Sequence, residues 1–417
     1  MNRTADVYLD GWGHPVLVGR AYFATNPRGV STTFRYDDAY LADRNAFALD
    51  PALPLFAGQH AVADGLPYSF TDCAPDRWGR NLMRLHALDV AAGRTRREVT
   101  DVDFLLGVSD HTRHGALRFT DPDSGPAGPF LAGDPDVPKL LELPRLLHAA
   151  EQVDLSDGDD LSAVKELLEA GTGSLGGARP KASVRDGDRL LIAKFASPRD
   201  AWDVIAWEKT ALDLAERAGI EVPRRRLHRI HGKAVLLLDR FDRTDRGARI
   251  PYVSAMTLLT TRDGASDADY VDLAEALSEQ GAITVKADLV ELWRRVAFSV
   301  AVHNTDDHLR NHGFLRGTAG WTPSPMFDVN PNPDVATQRL TGIGTAHARD
   351  EELDGLMSSA ATFGLTDHRA RLLLHDVAAA TSEWRQTATR NGIDDREQSL
   401  MTDAFDGLRP AIASLDS

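Results

Sequence analysis

Between positions 120 and 138 the chain reads TDPDSGPAGPFLAGDPDVP, a stretch made mostly of proline, glycine and aspartate. Proline removes a backbone donor and fixes φ, while glycine and aspartate favour turns, so no regular element of useful length crosses it. Such a break predicts a domain boundary within 120–138. On the N-terminal side, VYLDGWGHPVLVGRAYF (7–23) predicts two strands around a glycine-bearing turn, and STTFRY (31–36) alternates as a third. APDRWGRNLMRLHALDVAAG (74–93) predicts a helix, with Leu82, Leu85 and Leu88 at helical spacing and Gly93 as its stop, and GALRF (115–119) predicts another strand.

On the C-terminal side, helical patterns at 138–150 and 160–170 lead into GTGSLGGARPKASV and a strand-like LLIAKF (190–195). An amphipathic helix is expected over 201–220, closed by Gly219, and then LHRI and AVLLLDRF as strands around His231 and Gly232. From about 255 onward the expectation is helical, at 268–280, 288–303, 366–390 and 394–415.

Composition narrows the functional classes. At 417 residues the chain can bury one or two cores unaided, and no apolar run approaches a membrane span. MNRTADVYLDG lacks the apolar segment and cleavage site of a secretory leader, so a cytoplasmic location without membrane contact is expected. Cys73 is the single cysteine, which excludes an internal disulfide and a thiolate zinc site and predicts a buried structural thiol. The formal charge of −15 opposes attraction to phosphate backbones. The basic runs GRTRRE and PRRRLHR read as solvated faces or as contacts for an acidic partner.

Gly171, Gly173 and Gly176 form G-x-G-x-x-G, followed by Gly177. A dinucleotide fingerprint needs a strand before it and a helix after it, the reverse of the order expected here, and a P-loop needs glycine rather than Pro180 before Lys181. A loop of the kinase type, folded over phosphates between strands, fits the context, with a plain linker as the alternative. The strand LLIAKF then offers Lys194 as a phosphate-contacting lysine, and Glu208 on the next helix is available to hold it. Without that role Lys194 reads as an edge-strand lysine and Glu208 as an exposed helical residue.

HNTDDHLRN (303–311) directly follows an apolar helix and places Asp306 and Asn311 as D-x-x-x-x-N. In a kinase catalytic loop of this spacing the aspartate takes the substrate hydroxyl proton and the asparagine holds magnesium. MFDVNPNP supplies Asp328 where kinases carry a second magnesium-binding aspartate, with Val329 in place of the glycine of D-F-G. His303, His308 and His312 with Asp306 or Asp307 could instead make a transition-metal site, but the spacing is not H-E-x-x-H and zinc would leave the glycine loop and Lys194 unexplained.

SLGGARPKASV, LLLDRFDR, NTDDHLRNHGF and FDVNP resemble the core signatures of the HipA family, Ser/Thr protein kinase toxins of bacterial toxin–antitoxin systems. YSFTDCAPDRWGRNL and GVSDHTRHGALRF resemble that family's N-terminal region, so the likeness runs over about residues 5–380. It implies an α/β (α+β), bilobal, protein-kinase-like fold: an N-terminal mixed subdomain (1–125), a linker and helix (126–157), a strand-rich nucleotide-binding part with the glycine loop (158–254) and a mostly helical catalytic lobe (255–417).

By motif match the resemblance also implies ATP contacts from Gly176, Gly177, Ala178, Arg179, Pro180 and Lys181, from Lys194, and from Asp239, Arg240 and Phe241. His308, Arg310, Phe327 and the two magnesium ligands, Asn311 and Asp328, complete that set, and Asp306 is the implied catalytic base. Ser174 matches the family's regulatory serine, whose phosphorylation would repel ATP by adding about two negative charges. The implied partners are a HipB-like helix-turn-helix antitoxin, DNA through that antitoxin alone, and a protein substrate of the aminoacyl-tRNA synthetase class. The rival functions are a small-molecule phosphotransferase, since antibiotic kinases share the D-x-x-x-x-N loop, and a catalytically weak nucleotide-binding regulator.

Overall fold

The computed structural model describes residues 2–11, 13–26, 29–90, 98–125, 128–133, 137–155, 161–171, 179–262 and 269–416. The chain forms two compact units, Met1–Arg199 with Leu237–Val253, and Asp200–Leu236 with Ser254–Ser417. Gly93, Gly173, Ser174, Gly176, Gly177 and Ala178 lie outside the described residues.

In the first unit β1 (Asn2–Leu9), β2 (Val16–Asn26), β3 (Gly29–Tyr36), β4 (His60–Val62) and β5 (Leu117–Thr120) make a sheet of order β4-β3-β2-β1-β5. Alternation turns one face inward: Ala5, Val7 and Leu9, then Ala21 and Phe23, then Phe34 and Tyr36, then Phe119 are buried. A register shift between Val7 and Tyr8 sits opposite Gly19, where a Cβ would lie 2.2 Å from the Arg35 carbonyl oxygen. Only glycine lets the strands approach there. Helix Arg77–Val90 follows, and Thr100 opens helix Asp101–Gly107 with a capping box closed by Asp103. The proline-rich break folds back on this sheet, with Leu131 N–H donating to the Phe119 carbonyl (2.8 Å) and the Arg118 guanidinium over the Phe130 ring.

A polar cluster lies behind the sheet. Asp242 accepts from Arg240 Nε (2.6 Å), Arg243 Nη1 (2.8 Å) and the Gly115 N–H (2.7 Å). Arg113, fully buried, donates to the carbonyls of Leu105 (2.7 Å) and Val108 (3.0 Å). The His114 ring stacks on Tyr252, 3.9 Å between centroids, and burial pushes its pKa down to about 4. The segments HTRHG and DRFDR, far apart in sequence, are therefore one network.

Helices Leu143–Leu155 and Leu161–Glu169 precede β6 (Lys181–Asp186) and β7 (Arg189–Phe195), which pair antiparallel. The division between units runs through β9 (Lys233–Asp239): its end lies in the first unit, its beginning in the second with β8 (Arg225–Ile230). It also cuts β10 (Tyr252–Ser254).

The second unit is built on helix Val285–Ala301, buried at Leu289, Leu292, Trp293 and every residue of 295–301. A helix buried on all sides over its last turns holds whatever follows it rigidly. Helix Val204–Arg217 brings Trp207 against Trp384 and Phe405, with ring centroids 6.0 and 5.7 Å away. β11 (Gly313–Gly317) and β12 (Gly320–Pro323) form a hairpin. The helix expected over 366–390 is two, Asp367–Ser382 and Trp384–Arg390, and that expected over 394–415 is broken into short pieces beginning with Asp395–Leu400. Periodicity of buried residues continues across such breaks, so sequence pattern alone does not show them. Among the described residues no helix is long and apolar enough to cross a membrane.

Candidate active site

The expected nucleotide-binding residues fall in both units. In the first, the β6/β7 register sets Lys181 directly opposite Lys194, and both are buried. Two ammonium groups opposed on one face would repel. Lys181 is neutralised by Asp76, whose Oδ2 accepts from Nζ at 3.0 Å in a pair almost closed to solvent. Asp76 also caps the helix that follows it by accepting from the Gly79 N–H (2.9 Å). Spacing offered no sign of this partner, because 105 residues separate the pair.

Asp239 takes Arg189 at 2.9 Å, and Arg240, buried, is held by Asp242 and by the Thr112 carbonyl (2.9 Å). The guanidinium of Arg240 thus braces the polar cluster. Phe241 is half-buried, its ring 5.9 Å from His114, and Arg179 is half-buried just ahead of Pro180, whose carbonyl accepts from the Phe195 N–H (3.0 Å). Cys73 is buried, its thiol pushed up to about 12 by burial, which fits the structural thiol expected.

In the second unit the helix Val285–Ala301 ends and the chain turns sharply at His303, whose φ is +52°. Asp306, three residues on, is exposed. Asn311 sits in a short 3-10 turn, Leu309–Asn311, and its side-chain Nδ2 donates to the Asp306 carbonyl at 3.0 Å. The amide is thereby oriented with its oxygen as the remaining acceptor. His308 and Arg310 flank the turn, both half-buried, and His308 Nδ1 is buried with no hydrogen-bond partner.

Asp307 anchors the loop from below. It is buried and accepts from Ser299 Oγ (2.6 Å) and from the Tyr270 hydroxyl, with His312 Nε2 at 2.9 Å and Arg339 at 3.8 Å. Burial alone would raise its pKa, but His312, Arg339 and Ser299 more than offset this and hold it well below the usual carboxylate range. Burial and the Asp307 charge push the Tyr270 hydroxyl well up. The Asp307 carbonyl accepts from Thr341 Oγ1 (2.6 Å), and the Thr305 carbonyl from the Leu340 N–H (3.2 Å).

The segment after Asp328 is laced to the same loop. The Asn330 N–H donates to Asn304 Oδ1 (3.3 Å), the Asn332 N–H to the His303 carbonyl (3.0 Å) and Asn332 Nδ2 to Thr305 Oγ1 (2.8 Å). His303 Nε2 lies 3.1 Å from the Asp334 carbonyl, so that nitrogen carries the proton, and burial pushes the ring pKa down to about 4. Phe327 and Asp328 are half-buried, and Asp328 is held in the left-handed region at φ +58°. A non-glycine residue there is costly and persists where surrounding bonds impose it. His303 Nε2 is engaged by the Asp334 carbonyl and His312 Nε2 by Asp307. Among the described residues no group of three or more His, Cys, Asp or Glu could hold a metal.

Sequence spacing pointed to Asp306, Asn311 and Asp328, and missed Tyr270, Ser299, Arg339 and Thr341, none of which lies in a motif. No residue pattern could have found them, since each reaches the loop through the tertiary fold.

The pattern of the HipA-like C-terminal domain matches residues 173–384, about half of the chain. The chain belongs to the HipA-like family. No curated protein sequence matches it. Among solved structures, HipA of Shewanella oneidensis MR-1, in a complex with HipB and its operator DNA, is similar with a TM-score of 0.69 at 16% identity, over 98% of this chain and 97% of that one. The α/β HipA-like fold expected from the motifs is therefore the fold of this chain across both units. The Helicobacter pylori proinflammatory kinase CtkA shows a TM-score of 0.39 at 15% identity over 58% of this chain and 94% of its own, too low to bear on the fold.

Proposed function

We propose that this HipA-family protein is an ATP- and magnesium-dependent Ser/Thr protein kinase acting as the toxin of a type II toxin–antitoxin module. The observation that carries the reading is the construction of the 303–311 loop. An exposed Asp306 is presented on a backbone tied down by Asn311, by buried Asp307 and by the segment that follows Asp328. Pre-organisation of this kind is what a general base needs.

In this reading Asp306 orients the target hydroxyl and takes its proton, and Lys194 holds the phosphates. Asn311 and Asp328 offer oxygen donors of the kind that suits a hard cation, and when bound there magnesium neutralises charge on the phosphoryl group. Residues 158–254 form the nucleotide-binding part, with Arg179, Pro180, Lys181, Asp239, Arg240 and Phe241 around the base and phosphates, and 255–417 form the catalytic part, with His308, Arg310 and Phe327. Lys181 and Arg240 serve by shaping the site through Asp76 and Asp242.

Ser174 is the proposed autophosphorylation site. The proposed partner is a HipB-like helix-turn-helix antitoxin, in keeping with the complex in which the Shewanella HipA was solved, and DNA is met through that partner. The substrate class is a cytoplasmic protein, with an aminoacyl-tRNA synthetase as family precedent.

The test is intact-mass and phosphosite analysis after incubation with ATP and magnesium, beside Asp306→Asn. The expected outcome is phosphate on Ser174 in the wild type and a loss of ~10²–10⁴-fold in rate in the variant with an unchanged melting temperature. Equal phosphate in both would remove Asp306 as the base. A wild type that starts unphosphorylated and gains nothing would favour the non-catalytic regulator.

A further inference from the structure

Thr112 belongs to no nucleotide-binding motif, yet it touches two segments of the first unit that the nucleotide reading uses. Its carbonyl accepts from Arg240 Nη1 (2.9 Å), and its hydroxyl donates to the Gly171 carbonyl (3.1 Å). Gly171 opens the G-x-G-x-x-G motif, and Arg240 stands directly after β9. The contact with Gly171 is close as well as polar: a Cβ there would lie 2.7 Å from both Oγ1 and Cγ2 of Thr112. Thr112 is completely buried, so no solvent competes for the bond its hydroxyl makes.

Of these partners Thr112 is the fixed one. The turn that carries it is held by Arg243 Nη2 on the Arg113 carbonyl (2.7 Å), by Arg240 Nη2 on the same carbonyl (3.4 Å) and by Asp242 on the Gly115 N–H (2.7 Å). Gly171 closes helix Leu161–Glu169, its N–H donating to the Leu168 carbonyl (2.9 Å). The Thr112 hydroxyl therefore fixes the point at which the chain leaves that helix and enters the glycine motif. The exit is held as well, because Lys181, the first residue of β6, is paired with buried Asp76. Thr112 and Asp76 both precede the 120–138 break, so the N-terminal part of the chain grips the motif at its two ends. A segment whose ends are already fixed loses less conformational freedom when it orders around a ligand.

We propose that Thr112 is a positioning residue for the nucleotide, its hydroxyl holding the entry of the glycine motif in the arrangement that binds ATP. The inference rests on the kinase reading for the identity of the ligand and adds to it a residue that acts through Gly171. The test uses the phosphatase-treated full chain and a non-hydrolysable ATP analogue with magnesium, titrated by calorimetry, so that binding is read without phosphoryl transfer. Phosphate transfer from ATP is read separately.

Thr112→Val puts a methyl group where the hydroxyl stood and should weaken binding about fivefold, the worth of one hydrogen bond, because less of the free protein holds the motif ready. Thr112→Ala, the smaller exchange, should weaken it equally and serves if valine is not tolerated. Thr112→Ser keeps the hydroxyl and should bind like the wild type. Thr120→Val makes the same exchange at another buried threonine of this unit, whose hydroxyl has no hydrogen-bond partner, and should leave the affinity unchanged. A merely structural hydroxyl would lower the melting temperature of Thr112→Val and Thr112→Ala and leave their affinities at the wild-type value. That result would overturn the proposal, as would equal weakening in Thr112→Ser or Thr120→Val. Weakening confined to the two variants that lack the Thr112 hydroxyl, in a chain that transfers no phosphate, would keep the positioning role and remove the kinase reading. A wild type that binds no analogue would overturn both.

Discussion

Asp306 reaches solvent, whereas Asp307, the next residue, is buried beneath it and accepts from Ser299 and Tyr270 with His312 alongside. Their substitutions should separate chemistry from stability. Asp307→Asn removes a buried charge and leaves His312 and Arg339 uncompensated, so a loss of about 3–5 kcal/mol is expected, read as a lower denaturant midpoint. Because the folded carboxyl is held below its unfolded value, its contribution is present above the ordinary carboxylate pKa of about 3.9 and is lost as pH falls. Glu352 has the opposite sign: burial pushes it up to about 7, beyond what Arg339 and Arg349 offset. The folded chain keeps a proton that the unfolded chain releases near 4.5, so stability falls as pH rises from there to about 7. In Glu352→Gln that loss is absent. Its melting temperature relative to wild type should therefore rise between about pH 5 and about pH 8, as scanning calorimetry would show.

Among elements, the loop before β5 and the segment after β9 depend on one carboxylate. Asp242 holds Arg240, Arg243 and the Gly115 N–H, and Gly115 itself, at φ +70°, lies where a Cβ would be 3.3 Å from Tyr252. Asp242→Ala should cost about 3–5 kcal/mol by leaving two buried guanidinium groups without their counter-ion, measured by chemical denaturation. Elements formed from neighbours in sequence were legible in advance. The β6/β7 hairpin follows from alternation around a short turn, and the Asp306–Asn311 bond joins residues five apart in one loop. Less was legible where the chain returns to itself: Asp76 reaches Lys181 across 105 positions, and helix Glu352–Ser359, which carries Glu352, was not foreseen.

At the scale of the molecule, a net charge of −15 sets how the chain meets polyanions. In a mobility-shift experiment near physiological salt the chain alone should leave duplex DNA unshifted, because too few phosphates can be neutralised to release counterions. A shifted band from the chain alone would show a basic surface that outweighs the net charge. The sequence by itself determined the family, the α/β class and the order of glycine loop, strand lysine, Asp306, Asn311 and Asp328. These depend on residue type and short spacing, which a linear chain displays. Only the tertiary structure decided that Asp307 rather than Asp306 is the buried anchor and that Lys181 answers to Asp76. Burial and pairing belong to groups that meet only when distant segments pack, and there the cost of an unpaired charge selects each partner.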